Sequence, residues 1–265
     1  HTVIKDTPWK MPCVNIMDYP RFGWRGLMLD VSRHLFSKEF VKQYIDELVK
    51  YKFNVFHWHL TDDQGWRIEI KGLPGLTETG AWRVPRTGEW NSFASPQPGE
   101  KATEGGYYTQ EDIREVVAYA KKRFVTIVPE IDVPSHCLAL IATYPDLSCT
   151  KLQYDVNPGS RFLKREINNV LCVANDSTWL ILDKIFTQVA GLFPGEYIHE
   201  GGDEAHKSFW EACPDDLALA KKLGVTIQGG LQAYFEKKMQ RLIISKGKKM
   251  IGWDEILNDG LSSDV

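Results

Sequence analysis

The densest chemistry in the chain lies in EYIHEGGDEAHKSFW, Glu196 to Trp210, where Asp203 and Glu204 stand side by side at the expected end of a strand. Neighbouring side chains of a regular strand point to opposite faces, so two such acids cannot flank one bond as a separated acid and base do. Either Gly201 and Gly202 bulge the backbone and re-aim the pair, or the two acids do different jobs. A plainer reading makes Asp203 the cap of the next helix and Glu204 a solvated first-turn acid.

Other groups of the right type follow other expected strands. Arg33, in DVSRH, has a planar fork suited to holding ligand oxygens in pairs, although an arginine after a strand is commonly a solvated surface residue. His57 and His59 share a strand face, with Asp62 and Asp63 close behind; this fits a metal site, a hydrogen-bonded His and Asp relay, or packed core histidines. Asp132 and His136, in EIDVPSH, can pair across the turn at Pro134, so that a carboxylate orients an imidazole. Trp253, in IGWDE, suits either the core or the aromatic wall of a pocket, and nine tryptophans in 265 residues favour a stacking pocket.

These groups need a scaffold that gathers strand ends. Strands are expected in RGLMLDVS (Arg25 to Ser32), NVFHWHLTDD, FVTIVPEID, EYIHEGGDE and KMIGWDEI. The first is apolar enough for burial on both faces. Between them the helical signals are a Ser37 cap before Phe40, Val41, Tyr44, Ile45, Leu48 and Val49, and a Thr109/Asp112 capping box before Ile113, Val116, Val117 and Ala120. Further helices are expected at Leu138 to Tyr144, Ser177 to Leu192, His206 to Leu223 and Thr226 to Ile244. Two long loops, 64–108 with a short RIEIKG hairpin and 145–176, interrupt the pattern. Such β, α, β, α order with polar residues after each strand predicts an α/β fold; a doubly wound sheet shares that logic, but a (β/α)8 TIM barrel is favoured, with only about the first five strands present in this chain. Residues 1–24 read as a lead-in segment and 25–265 as the partial catalytic barrel.

Composition removes other classes. A net charge of −3 gives no basic footprint for nucleic acid, and no apolar run is long enough to span a bilayer. Five cysteines are irregularly spaced with no CxxC, which supplies no zinc motif; Cys149 and Cys172, at either end of the second long loop, are placed to form a disulfide.

WRGLMLDVSRH, NVFHWHLTDDQGWRIEI, LTETGAW, YYTQEDIREVVAYA, VPEIDVPSH, YPDLSC, IHEGGDEA and GWDEI, in this order, resemble the catalytic domain of family 20 glycoside hydrolases, the β-N-acetylhexosaminidases. The resemblance implies a barrel enzyme that removes terminal non-reducing β-linked N-acetylglucosamine or N-acetylgalactosamine from glycans, without cofactor or metal, in a secreted, periplasmic or lysosomal setting. It also implies substrate-assisted retaining chemistry, in which the 2-acetamido oxygen attacks the anomeric carbon. On that pattern Glu204 is general acid and base, and Asp203 orients the acetamido group. Arg33 holds sugar hydroxyls, Asp62 holds Arg33 or the sugar, Trp253 walls the acetamido pocket, and His59, Asp132 and His136 support the acid. Glu200 departs from the family's apolar residue before GGDE, and Ser135 from the glycine of its PGH turn. The family's barrel continues past GWDE, so the missing strands or another chain are expected at open sheet edges. Two rivals remain: a metal-dependent hydrolase using His57, His59, His136 and Asp203, and a sugar-binding module without catalysis.

Overall fold

The computed structural model describes residues 10, 12–89, 93–159 and 166–259. Five parallel strands form one sheet in chain order: β1 (Gly26–Asp30), β2 (Val55–His59), β3 (Thr126–Glu130), β4 (Tyr197–His199) and β5 (Lys249–Ile251). Helices α1 (Lys38–Lys50), α2 (Gln110–Lys121), α3 (Leu138–Thr143), α4 (Asp176–Leu192), α5 (Lys207–Glu211), α6 (Pro214–Leu223) and α7 (Gln232–Ser245) alternate with them. Sequential parallel strands joined through helices are the β/α-barrel order, here as a five-stranded part of it.

The helices begin where their capping residues stand. Ser37 accepts from the Phe40 N–H, and Thr109 with Asp112 completes the reciprocal capping box. Val41, Ile45 and Leu48 of α1 and Ile113, Val116 and Ala120 of α2 are buried against the sheet layer, in one cluster with Phe56, Trp58 and Ile127. The α4 face of Leu182, Ile185, Phe186 and Val189 joins the same core.

The strand registers decide where the chemistry sits. Asp30 pairs with His59, His59 with Glu130, Glu130 with His199 and His199 with Ile251. The last residues of all five strands therefore form one row across the C-terminal edge of the sheet.

Four expectations need correction. β1 is not buried on both faces: Leu27 is 46% and Met28 42% exposed, because β1 is an edge strand with only β2 beside it among the described residues. The helix expected from His206 to Leu223 is two helices, since Pro214 cannot donate to an ongoing helix and instead starts α6. RIEIKG is no hairpin; Ile68 bridges Tyr108, while the two small ladders of the first long loop pair Thr61–Asp62 with Gly65–Trp66 and Trp82–Arg83 with Glu104–Gly105. Cys149 and Cys172 are free thiols: the loop ends do meet, through the Ser148 and Leu171 bridge, and both sulfurs face Asp216, at 3.1 and 3.6 Å, with no disulfide between them.

Buried Arg67 holds the first long loop together. Its guanidinium donates to the carbonyls of Val31, Ser32, Gln64, Ala81 and Gly106, so one side chain ties the end of β1 to three later turns. Burial lowers its pKa to about 10.

Candidate active site

Asp203 and Glu204 are not on a strand. The chain leaves β4 after His199, and Gly201, Gly202 and Glu204 take left-handed φ values of 81°, 91° and 46°. A Cβ on Gly201 would lie 1.9 Å from Asp132 Oδ1, so glycine meets both the conformation and the close approach there. The loop re-aims both carboxylates toward one imidazole: His136 Nε2 is 3.1 Å from Glu204 Oε2 and 3.7 Å from Asp203 Oδ2. Ser135 donates its hydroxyl to the Asp203 carbonyl, which gives the serine of the PSH turn a definite task.

The other face of His136 meets more acid, with Nδ1 3.3 Å from Asp62 Oδ1 and 3.6 Å from Asp63 Oδ2. Burial opposes its charge, but Asp62 and Asp63 outweigh burial and raise its pKa, so His136 is an imidazolium. The expected Asp132 to His136 hydrogen bond is absent: Asp132 lies within 4.8 Å of His136 and Asp203, yet its Oδ1 meets no donor. Full burial pushes Asp132 well above the usual carboxyl range, and burial also raises Asp203. Asp132 is packed under Gly201.

Arg33 stands at the rim, its Nη1 3.0 Å from Asp30 Oδ2 and 2.7 Å from Asp62 Oδ2. Burial works against its charge; Asp62 and Asp30 restore and strengthen it. His59 lies 2.8 Å from Asp62 through Nε2 and 2.7 Å from Glu130 Oε2 through Nδ1, and these acids outweigh burial and raise its pKa well above the usual imidazole value. Burial likewise acts against an ionised Glu130, but the His59 charge and the hydrogen bonds from His57 and His59 hold it well below the usual range. His57 Nε2 reaches the same Glu130 oxygen at 2.6 Å, and Trp253 Nε1 donates to the other at 3.0 Å. Trp253 packs on His199, ring centroids 4.9 Å apart, and on His57 at 5.7 Å. His199, lowered to about 4 chiefly by burial, is neutral and accepts the Gly201 N–H at 3.0 Å.

All eight expected residues therefore gather at one mouth, in two linked groups. Asp62 joins them, touching Arg33, His59 and His136. Among the described residues the four groups of the metal-hydrolase rival do not converge on one point: His57 meets Glu130, His59 lies between Glu130 and Asp62, and only His136 and Asp203 share a cluster. Sequence reasoning assigned no role to Glu130, His199 or Ser135; the signal for the first two was register, since His199 ends the strand that leads into the acid loop and Glu130 ends the strand paired with it.

Glu200 is also explained in part. It is fully buried opposite Glu236 of α7, and neither of its oxygens meets a donor among the described residues. Burial and the facing acid raise Glu200 well above the usual range, and burial pushes Glu236 up to about 7.

Acids and imidazoles at the C-terminal ends of successive parallel strands define the class, a β/α-barrel site of the carboxylate type. Comparison with known proteins narrows it. The family model "Glycosyl hydrolase family 20, catalytic domain" matches residues 22–264. The chain is 41% identical to a β-hexosaminidase of Porphyromonas gingivalis over 96% of its own length and 31% of the relative's. It is 44% identical to one of Vibrio furnissii over 96% and 41%. The crystal structure of the family 20 exo-β-N-acetylglucosaminidase of Vibrio harveyi with N-acetylglucosamine matches with a TM-score of 0.78 at 41% identity, covering 94% of this chain and 38% of that one. Flavobacterium johnsoniae chitobiase matches with a TM-score of 0.80 at 40% identity, covering 93% and 34%. The chain belongs to glycosyl hydrolase family 20, within its catalytic domain, and spans under half the length of these relatives.

Proposed function

We propose that this chain carries the acid loop of an exo-acting β-N-acetylhexosaminidase, hydrolysing terminal non-reducing β-linked N-acetylglucosamine or N-acetylgalactosamine by substrate-assisted retaining catalysis. The observation that carries the reading is the pairing of Asp203 and Glu204 on one imidazolium, His136, at the sheet mouth. Both acids point to one locus, and two acids so close leave no span for an ordinary nucleophile and acid pair. A substrate acetamido oxygen supplies the nucleophile instead. Glu204, the more exposed, delivers and recovers the proton; Asp203 orients the acetamido group and stabilises the charge that develops on it. Arg33, braced by Asp30 and Asp62, holds sugar hydroxyls, and Trp253, fixed by Glu130, walls the acetamido group.

The substrates are glycans ending in an N-acetylhexosamine, and an exported or lysosomal setting fits the family, although the unbonded thiols remove the disulfide as a motive for it. No described helix is long and apolar enough to cross a membrane. The test is paired turnover of a chromogenic β-N-acetylglucosaminide and the matching β-glucoside, which lacks the acetamido group. Only the first is cleaved if the substrate provides the nucleophile; comparable turnover of both would refute the mechanism.

A further inference from the structure

One cluster plays no part in the proposed chemistry. Cys149, Cys172, Cys213 and Asp216 come from three separate segments, the last two from the N-cap and first turn of α6, and a ligand atom of each lies within 4.8 Å of all the others. The three cysteines are free thiols, and Cys172, Cys213 and Asp216 are buried. Two of the spacings match a coordination tetrahedron. Zinc bonds of about 2.3 Å to sulfur and about 2.0 Å to oxygen set sulfurs about 3.8 Å apart and a carboxylate oxygen about 3.5 Å from sulfur. The Cys172 and Cys213 sulfurs are 3.8 Å apart and Asp216 Oδ1 lies 3.6 Å from Cys172, while Asp216 Oδ2 lies 3.1 Å from Cys149, a shorter approach than that geometry sets.

Asp216 is the telling residue. A fully buried carboxylate among thiols is costly unless paired or coordinated, and it is the neighbouring Asp215, not Asp216, that meets Lys151, at 3.9 Å. Backbone donors already surround the cluster: the Ala174 N–H reaches Asp216 Oδ1 at 2.8 Å, and the Ala174 and Asp216 N–H groups face the Cys172 and Cys213 sulfurs. Such donors hold thiolate ligands in place around a metal.

We propose that Cys149, Cys172, Cys213 and Asp216 form a closed structural site for one thiophilic divalent cation, zinc by its ligand chemistry. Binding exchanges three S–H bonds for three S–metal bonds; three protons leave to solvent, the carboxylate enters as its anion, and no electrons move. The site fastens the second long loop, at Cys149 and Cys172, to α6, the first long helix after the acid loop. No CxxC announces it, because the three cysteines come from three separate segments and meet through the tertiary fold.

The test is the metal content of the full chain, purified without chelator, with intact mass after alkylation under non-reducing conditions. One zinc per chain, with these three thiols alkylated only after chelation and Tm falling by roughly 5 °C or more on zinc removal, is the expected result. Exchange with cobalt adds a second readout, a thiolate-to-cobalt absorption band that weakens in Cys213→Ser and in Asp216→Asn. Chain without zinc, whether lighter by the two hydrogens of a disulfide or freely alkylated, overturns the proposal. So does zinc retained in full by Cys213→Ser. The unmodified chain decides the matter even where a variant fails to fold.

Discussion

A single imidazolium organises the acids at the residue scale: His136 meets Asp203 and Glu204 on one side and Asp62 and Asp63 on the other. Glu204→Gln keeps the shape but cannot transfer a proton, so kcat/KM should fall roughly 100- to 10,000-fold while an oxazoline-like inhibitor binds nearly as before. Asp203→Asn should weaken turnover and inhibitor binding together, because Asp203 holds the acetamido group. Equal losses of inhibitor affinity in the two variants would show that the roles are not divided. The acids were legible in the sequence because adjacent ionisable groups after a strand are unusual. Their partners were less so: Asp132 and His136 lie four apart around a turn, which suggested a direct pair, whereas the burial of Asp132 under Gly201 is a tertiary fact.

At the scale of elements, the acid loop is pinned from three sides, by His199 accepting the Gly201 N–H, Ser135 donating to the Asp203 carbonyl and Gln232 of α7 donating to the Gly202 carbonyl. Gln232 also donates to Glu236, which faces Glu200, so α7 couples the loop to a buried acid pair. Both acids have folded pKa values above their unfolded ones, so the folded state binds more protons than the unfolded one between about 4.5 and the raised values. Stability should therefore fall as pH rises through that window, to about 7 for Glu236. Glu236→Gln, which pairs with Glu200 through its amide, should flatten the dependence of Tm on pH and stabilise the chain at pH 8 by about 1–3 kcal/mol. A Tm that rises between pH 5 and 8 in the parent but not in the variant would contradict this. Arg67 is the larger structural risk: Arg67→Met leaves five carbonyls without their donor, and a loss of about 3–5 kcal/mol in urea unfolding is expected. Helix starts at Ser37 and Thr109 were readable because capping is local. The role of Arg67 was not, since its carbonyl partners reach from Val31 to Gly106.

For the whole molecule, the governing fact is the row Asp30, His59, Glu130, His199 and Ile251, which sets strand order and site together. Strand number and order were legible because each strand carries an apolar run ending in polar groups. The exposure of β1 was not, because apolar residues at an edge and in a centre have the same composition. Five parallel strands curve but do not close, and among the described residues β1 and β5 each pair on one side only. Such edges present free backbone donors and acceptors, and beside β1 stand Leu27 and Met28, 46% and 42% exposed. Pairing with further polypeptide satisfies both the backbone groups and the apolar side chains. This chain studied alone should therefore self-associate, and the association should weaken when Leu27 is replaced by lysine, which leaves the β1 backbone intact but puts charge on its exposed face. Sedimentation velocity across a concentration series, with a thermal melt of the same samples, checks this. A monomer at every concentration, melting cooperatively and unchanged by Leu27→Lys, would mean that five strands of this sequence suffice as a stable unit.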